Sequence, residues 1–189
     1  MPDETVLELT EGREAGLVGL VRIPRSPGLP ELAPSRGDAP PVLLVAVDIE
    51  DPGNVGALAR TALASGALAL VGVGITDPWH PRAVRTSMGS VFKLPLPIYD
   101  SVAPLLADLR AIKARSLGAV TSGGTSVRET PFERCPHAFF LGSEAFGLST
   151  ELTQQLDGTV SIPMASGVDS FSVNAAAAVL LYEFVRQAR

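Results

Sequence analysis

Residues 42–47 read Val-Leu-Leu-Val-Ala-Val, six apolar side chains without a break. A strand with one solvated face alternates apolar and polar residues, so an unbroken run marks a strand covered on both faces. The run ends in a polar turn, Asp48–Gly53, and a helix is expected from Asn54 to Ser65, stopped at Gly66. The same alternation continues. Strands are expected at Ala67–Ile75, Val91–Ile98, Gly118–Thr121, His137–Leu141 and Thr159–Ile162. Helices are expected at Arg82–Met88, Val102–Ser116, a short one from Thr150, and a long one from Ser170 to Gln187. Strands alternating with helices imply crossover connections, hence an α/β fold with a mostly parallel sheet flanked by helices. With 46% hydrophobic but only 5% aromatic residues, the core must be built from Ala, Val, Leu and Ile, as this class requires.

The segment Pro24–Pro41 contains Pro24, Pro27, Pro30, Pro34, Pro40 and Pro41, with Gly28 and Gly37 between them, and reads as a linker. It divides the chain into an N-terminal arm or domain remnant, residues 1–23, and one main domain, residues 42–189. In the arm, Gly16–Ile23 is the one apolar stretch. No apolar run reaches the roughly 18 residues of a membrane span, and the N-terminus lacks signal-peptide features, so a soluble cytoplasmic protein with no membrane partner is expected. Cys135 is the only cysteine, which excludes an internal disulfide and predicts an inert thiol and no metal site. The net charge of −5 disfavours nucleic-acid binding over the whole surface. Arg82, Arg85 and Lys93 nevertheless lie in a stretch, Pro81–Pro97, that has no acid, and form either a local basic patch or a merely solvated face.

In an open parallel sheet ligands bind beyond the carboxyl ends of the strands. Four loops leave those ends with polar or glycine-rich sequences: Asp48–Asn54, Thr121–Gly124, Gly142–Leu148 and Met164–Ser170. Asn54 is either an N-cap or a site residue. Arg60 is either a surface charge or, among Ala57, Leu58, Ala59, Ala62 and Leu63, a charge needing a specific partner. Gly142 and Gly147 permit close backbone approach to a ligand, and Glu144 can accept hydrogen bonds. Ser170 is a cap or a catalytic group. Ala175–Ala178 suit a tight helix contact, a dimer interface or core packing. The Val-Gly-Val-Gly at residues 71–74 lacks the third glycine and following helix of a dinucleotide fingerprint.

Four segments taken together, NVGALARTA (54–62), VRTSMGSVFKLPL (84–96), FLGSEAFGLS (140–149) and SIPMASGVDSFSV (161–173), resemble in order and spacing the motifs of the SpoU (TrmH-type) methyltransferases of the SPOUT superfamily. The resemblance covers residues 41–189. It implies a C-terminal trefoil knot, S-adenosyl-L-methionine as cofactor, and a homodimer with its active site near the subunit interface. The implied reaction is methylation of a ribose 2'-hydroxyl in ribosomal or transfer RNA. On the matching positions the catalytic group is Asn54, Arg60, Glu144 and Ser170. The cofactor-binding set is Thr121, Ser122, Gly123, Gly142, Ser143, Glu144, Gly147, Leu148, Ile162, Met164, Phe171 and Ser172, and RNA would be held by Arg60, Arg82, Arg85 and Lys93. A guanidinium is a poor proton acceptor near neutrality, so Arg60 is expected to hold a phosphate and stabilise alkoxide character.

Ser172 stands where the family has Asn, and this predicts reduced activity. Ala145 stands where glycine is frequent. Two alternatives stay open on the sequence: a non-catalytic knotted dimer that binds RNA or cofactor, and a small-molecule methyltransferase.

Overall fold

The computed structural model describes Gly19, residues 21–32 and residues 40–188. Gly16, Leu17, Val18 and Leu20 of the Gly16–Ile23 stretch, and the centre of the Pro-rich segment, lie outside the described residues. The described strands are β1 (Val42–Val47), β2 (Ala69–Val73), β3 (Ile98–Tyr99), β4 (Arg115–Val120), β5 (Thr125–Ser126), β6 (His137–Leu141) and β7 (Gly158–Ser161). They form one sheet in the order β3-β2-β1-β6-β4-β7-β5, with parallel pairing throughout. The helices are α1 (Pro52–Ala64), α2 (Pro81–Thr86), α3 (Val102–Ala111), α4 (Thr150–Thr153) and α5 (Val173–Ala188).

The unbroken apolar run is the central strand, and its residues divide between two cores. Val42, Leu44 and Ala46 face α1 and α5, packing with Leu58, Ala62, Leu180 and Phe184. Leu43, Val45 and Val47 face the other way, toward Leu105 and Leu109 of α3 and Leu152 of α4. Both faces are thus covered, as a parallel sheet requires.

Local chemistry sets the helix ends, and here several sequence expectations are corrected. Asp51, not Asn54, caps α1: its side chain accepts the Asn54 N–H at 2.9 Å, with Pro52 fixing the first turn. At the other end Gly66, φ 75°, closes α1 through Gly66 N–H to Leu63 O and Ala67 N–H to Ala62 O. Helix α3 ends at Ala111, short of the expected Ser116, which instead lies in β4. It stops there because Lys113 takes the same left-handed conformation as Gly66, φ 55°, and the same pair of closing bonds forms, Lys113 N–H to Arg110 O and Ala114 N–H to Leu109 O.

Residues 91–98 are not one strand. They begin within a 3-10 turn, Ser90–Phe92, and only Ile98 reaches β3. The connecting Pro95 and Pro97 still accept bonds from Leu70 N–H (3.1 Å) and Gly72 N–H (2.9 Å), but prolines have no N–H to return, so no regular ladder forms. The Pro-rich segment is partly docked rather than free: Leu29 is buried in the second core, and Ser26 Oγ accepts the Leu96 N–H at 3.0 Å.

Candidate active site

Parallel strands point their carboxyl ends to one edge of the sheet. At that edge the chain leaving β4, β6 and β7, together with the segment entering α5, encloses a cavity of about 580 Å³. Its floor and walls are largely apolar, including Leu141, Val160, Ile162, Val173 and Ala176, while Thr121, Ser143, Glu144, Ser170 and Ser172 put polar groups on the lining. Such a volume is in the range of small-molecule sites, and a mainly apolar interior with few polar groups suits a flat heterocycle carrying a polar tail.

The loop after β6 owes its shape to its two glycines. A Cβ on Gly142 would lie 2.1 Å from the carbonyl carbon of Gly147 and 2.4 Å from Leu148 N, so the loop folds back on its own backbone. Gly147, φ 68°, donates its N–H to Ser143 O at 2.8 Å and closes the turn. Ser143 Oγ accepts the Phe146 N–H at 3.2 Å. The glycines therefore serve loop closure first, and a ligand's approach only through the loop so formed.

Asn54 and Glu144 stand 90 residues apart in sequence and are brought together: Asn54 Nδ2 donates to Glu144 Oε1. The amide is presented by the first turn of α1, whose cap Asp51 is ion-paired with Arg82 of α2 at 2.8 Å. The cavity, Glu144, Asn54, Asp51 and Arg82 thus form one continuous chain of contacts.

Of the residues singled out from sequence, Thr121, Gly142, Ser143, Glu144, Gly147, Leu148, Ile162, Met164, Ser170, Phe171 and Ser172 line the cavity. Ser122 and Gly123 are exposed nearby but do not line it. Arg60 is also absent from the lining. It lies on the exposed side of α1, more than a turn beyond Asn54. The expected cap role of Ser170 belongs instead to Ser172, whose Oγ accepts the Ala175 N–H at 3.3 Å. Asn174 does not stand in for an amide at position 172, since its Oδ1 accepts from Thr61 Oγ1 at 2.7 Å and ties α5 to α1.

Sequence reasoning missed the apolar lining from Ala119, Val120, Val160 and Val173, and the exposed Phe146 at the loop tip. The strand residues carry no polar signal. Phe146 lies within a segment already singled out, where an aromatic between alanine and glycine was the available clue.

The model of the SpoU rRNA Methylase family matches residues 41–182. A 23S rRNA uridine 2'-O-methyltransferase of Streptomyces viridochromogenes is 36% identical over 142 residues, 72% of this chain and 49% of that protein. An uncharacterized tRNA/rRNA methyltransferase of Synechocystis is 35% identical over 148 residues, 76% of this chain and 53% of its own length. Among solved structures, the SpoU methyltransferase AviRb from S. viridochromogenes in complex with AdoMet superimposes with a TM-score of 0.75 at 32% identity, covering 83% of this chain and 60% of that one. An AdoMet-bound rRNA methyltransferase from Sinorhizobium meliloti gives a TM-score of 0.78 at 29% identity, covering 86% and 61%. The chain spans about half the length of the curated relatives it matches.

Proposed function

Because the chain belongs to the SpoU rRNA methylase family, we propose that it transfers a methyl group from S-adenosylmethionine to a ribose 2'-hydroxyl of ribosomal or transfer RNA. One observation carries this reading: the cavity at the carboxyl ends of β4, β6 and β7 is lined from two of the family-like motifs, and Asn54 of a third is bonded to its Glu144. The cavity's size and apolar lining fit an adenosyl group. Backbone groups of Thr121, Gly142 and Ile162, with Met164 and Phe171 beside them, would hold it.

When bound, S-adenosylmethionine supplies an electrophilic methyl on a sulfonium. The protein's share is alignment and charge. The Asn54–Glu144 pair fixes both side chains at the cavity rim, where an amide and a carboxylate can orient a ribose hydroxyl for in-line attack. Arg60 holds the neighbouring phosphate and stabilises negative charge growing on the 2'-oxygen, a task a guanidinium performs without giving up its proton. Arg82, Arg85 and Lys93 extend the positive surface away from the cavity, and all are exposed.

The position of Arg60 outside the cavity lining favours a homodimer whose sites are completed at the interface. Exposed Val179 and Tyr182 on α5 offer an apolar surface for it. The threading of residues 158–188 into a knot is part of the same proposal, supported by β7 lying between β4 and β5 while α5 crosses back to α1. Residues 1–23 would be the remnant of an N-terminal RNA-binding domain, or an arm. No described helix is long and apolar enough to cross a membrane. The location proposed is the cytoplasm, where ribosomal and transfer RNA are at hand.

Titration with S-adenosylmethionine, followed by tritium transfer to unmodified ribosomal and transfer RNA, tests the activity. Saturable cofactor binding and label in ribose 2'-O-methyl groups are expected. Tight cofactor binding with no label in either RNA, from the full-length gene product as well as from this chain, would replace it with a non-catalytic binding role. Sedimentation equilibrium at micromolar concentration tests the dimer.

A further inference from the structure

The surface beside the N-terminus of α1 has a feature that the methyl-transfer chemistry does not use. Between buried Val91 and Leu94 the 3-10 turn presents Phe92, 43% exposed, and next to it Lys93. The turn is pinned from below: Ser87 and Ser90 are buried, Ser87 Oγ donates to Val84 O at 2.8 Å, and Ser90 N–H bonds Ser87 O at 3.0 Å. With Val91 and Leu94 anchored in the core, Phe92 has no route inward.

Its ring is backed by Trp79, centroids 5.5 Å apart at 51°. Immediately before the turn the chain takes two successive left-handed residues, Met88 (φ 50°) and Gly89 (φ 81°). A left-handed methionine is sterically costly, and here it leaves the side chain 73% exposed rather than buried. Phe92 and Met88 are thus exposed over a partly buried Trp79, with Arg82 and Arg85 on neighbouring α2 and Lys93 next in the chain. Asp77, whose carboxylate accepts the Trp79 backbone N–H, and Asp51, paired with Arg82, lie at its margin.

An exposed aromatic ring beside cations on an otherwise acidic protein is complementary to an unpaired base with its phosphates. It is poorly matched to the same face of a second copy, which would set Lys93 and the α2 arginines of one chain against those of the other. Building on the RNA methylation proposed above, we infer that Phe92, backed by Trp79, is a stacking platform for an unpaired base of the substrate RNA close to the target nucleotide, with Lys93 and Arg82 taking its phosphates. The link to the reacting centre is short: Arg82 pairs with Asp51, the cap that positions Asn54.

Trp79 is the only tryptophan, so its emission reports on this surface alone. The full chain is titrated with an eight-nucleotide single-stranded RNA of mixed sequence, and steady-state methylation of ribosomal RNA is measured in parallel. Saturable quenching of Trp79 is expected. Phe92→Ala and Phe92→Leu should each weaken RNA binding about tenfold, or about 1.4 kcal/mol, and raise KM for RNA with kcat and cofactor affinity unchanged. Phe92→Tyr should restore both. Leucine keeps the apolar contact with Trp79 but cannot stack, so wild-type affinity in Phe92→Leu overturns the platform.

Absence of quenching in the wild type also overturns it. So does a change in Trp79 emission that follows protein concentration instead of RNA, which would assign the surface to a second copy. Methylation that is indifferent to Phe92→Leu sinks this inference and spares the methyltransferase. Stacking-dependent RNA binding without methyl transfer does the reverse.

Discussion

Gly56 lies inside α1 where α2 crosses it, and replacing it with alanine tests whether that crossing is as tight as the structure has it. A Cβ there would sit 2.1 Å from Thr86 Oγ1, 2.2 Å from Ala83 O and 2.9 Å from Ala83 C. Thr86 cannot easily yield, since its hydroxyl bonds Arg82 O at 2.9 Å, and the Ala83 atoms are backbone. Two effects oppose one another. Alanine gains about 1 kcal/mol over glycine in a helix interior. Overpacking costs about 1–3 kcal/mol, and an obstacle made of backbone puts this site at or beyond the upper end. The net loss is about 2 kcal/mol, which for a chain of this length lowers Tm by roughly 4–8 °C.

Thermal and urea unfolding followed by circular dichroism measure it. Gly66→Ala is the comparison, because no atom lies within 4 Å of its added Cβ and its cost comes from φ 75° alone, about 1–2 kcal/mol. The two variants should separate in function. Gly56→Ala must push α2 outward and disturb the Arg82–Asp51 pair, weakening RNA binding, whereas Gly66→Ala leaves it intact. An unchanged or raised Tm in Gly56→Ala would refute the reasoning, since propensity alone would then be in control.

Arg60→Ala should reduce methyl transfer at least a hundredfold with cofactor affinity nearly unchanged; comparable loss of both, by isothermal titration and tritium assay, would mean a structural role. Gly142→Ala should abolish cofactor binding while the protein stays folded, because the methyl group would force the loop off Gly147; wild-type affinity would show that the fold-back is dispensable. Ser172→Asn should raise kcat if the hydroxyl is a poor replacement for the family's amide, and no increase counts against that view. His137 is fully buried among Phe132, Phe139 and Phe184, and burial, with Arg115 adding to it, holds its pKa below the usual 6.5. The unfolded chain therefore takes up a proton that the native state refuses, so stability present above pH 6.5 declines as pH falls below it. His137→Phe should flatten that decline in urea midpoints measured from pH 8 to 5, and parallel profiles would discount it.

Strand positions were legible wherever burial was two-sided. Val42–Val47 and His137–Leu141 have the expected bounds because no polar residue falls inside either apolar run, His137 standing at the start of its strand. Position 113 was not legible: a lysine in the left-handed region ends α3 as a glycine would, and composition gives no sign of it. Residues 91–98 look strand-like by hydropathy, but Pro95 and Pro97 break the exchange of hydrogen bonds. Two-residue β5 carries too little pattern to detect. In the site, motif order pointed to loops that line the cavity, yet the Asn54–Glu144 contact depends on β6 lying beside β1, a tertiary fact. Arg60 was recognisable by its motif, but the face of α1 that it occupies is decided by which side of that helix packs on the sheet.

The neighbour order β2-β1-β6 also has a consequence during synthesis. Val42 is paired with His137, 95 residues later, so at about 5–20 residues per second the ribosome needs roughly 5–20 s before β1 can find its second partner. For that interval the most apolar strand of the protein presents an open hydrogen-bonding edge, the kind of surface that recruits other chains. High-level expression, which puts many such open edges in the cell at once, should therefore drive the nascent protein toward chaperone dependence and inclusion bodies even where the finished molecule is stable. Slowing translation downstream of β2 should make that worse, not better.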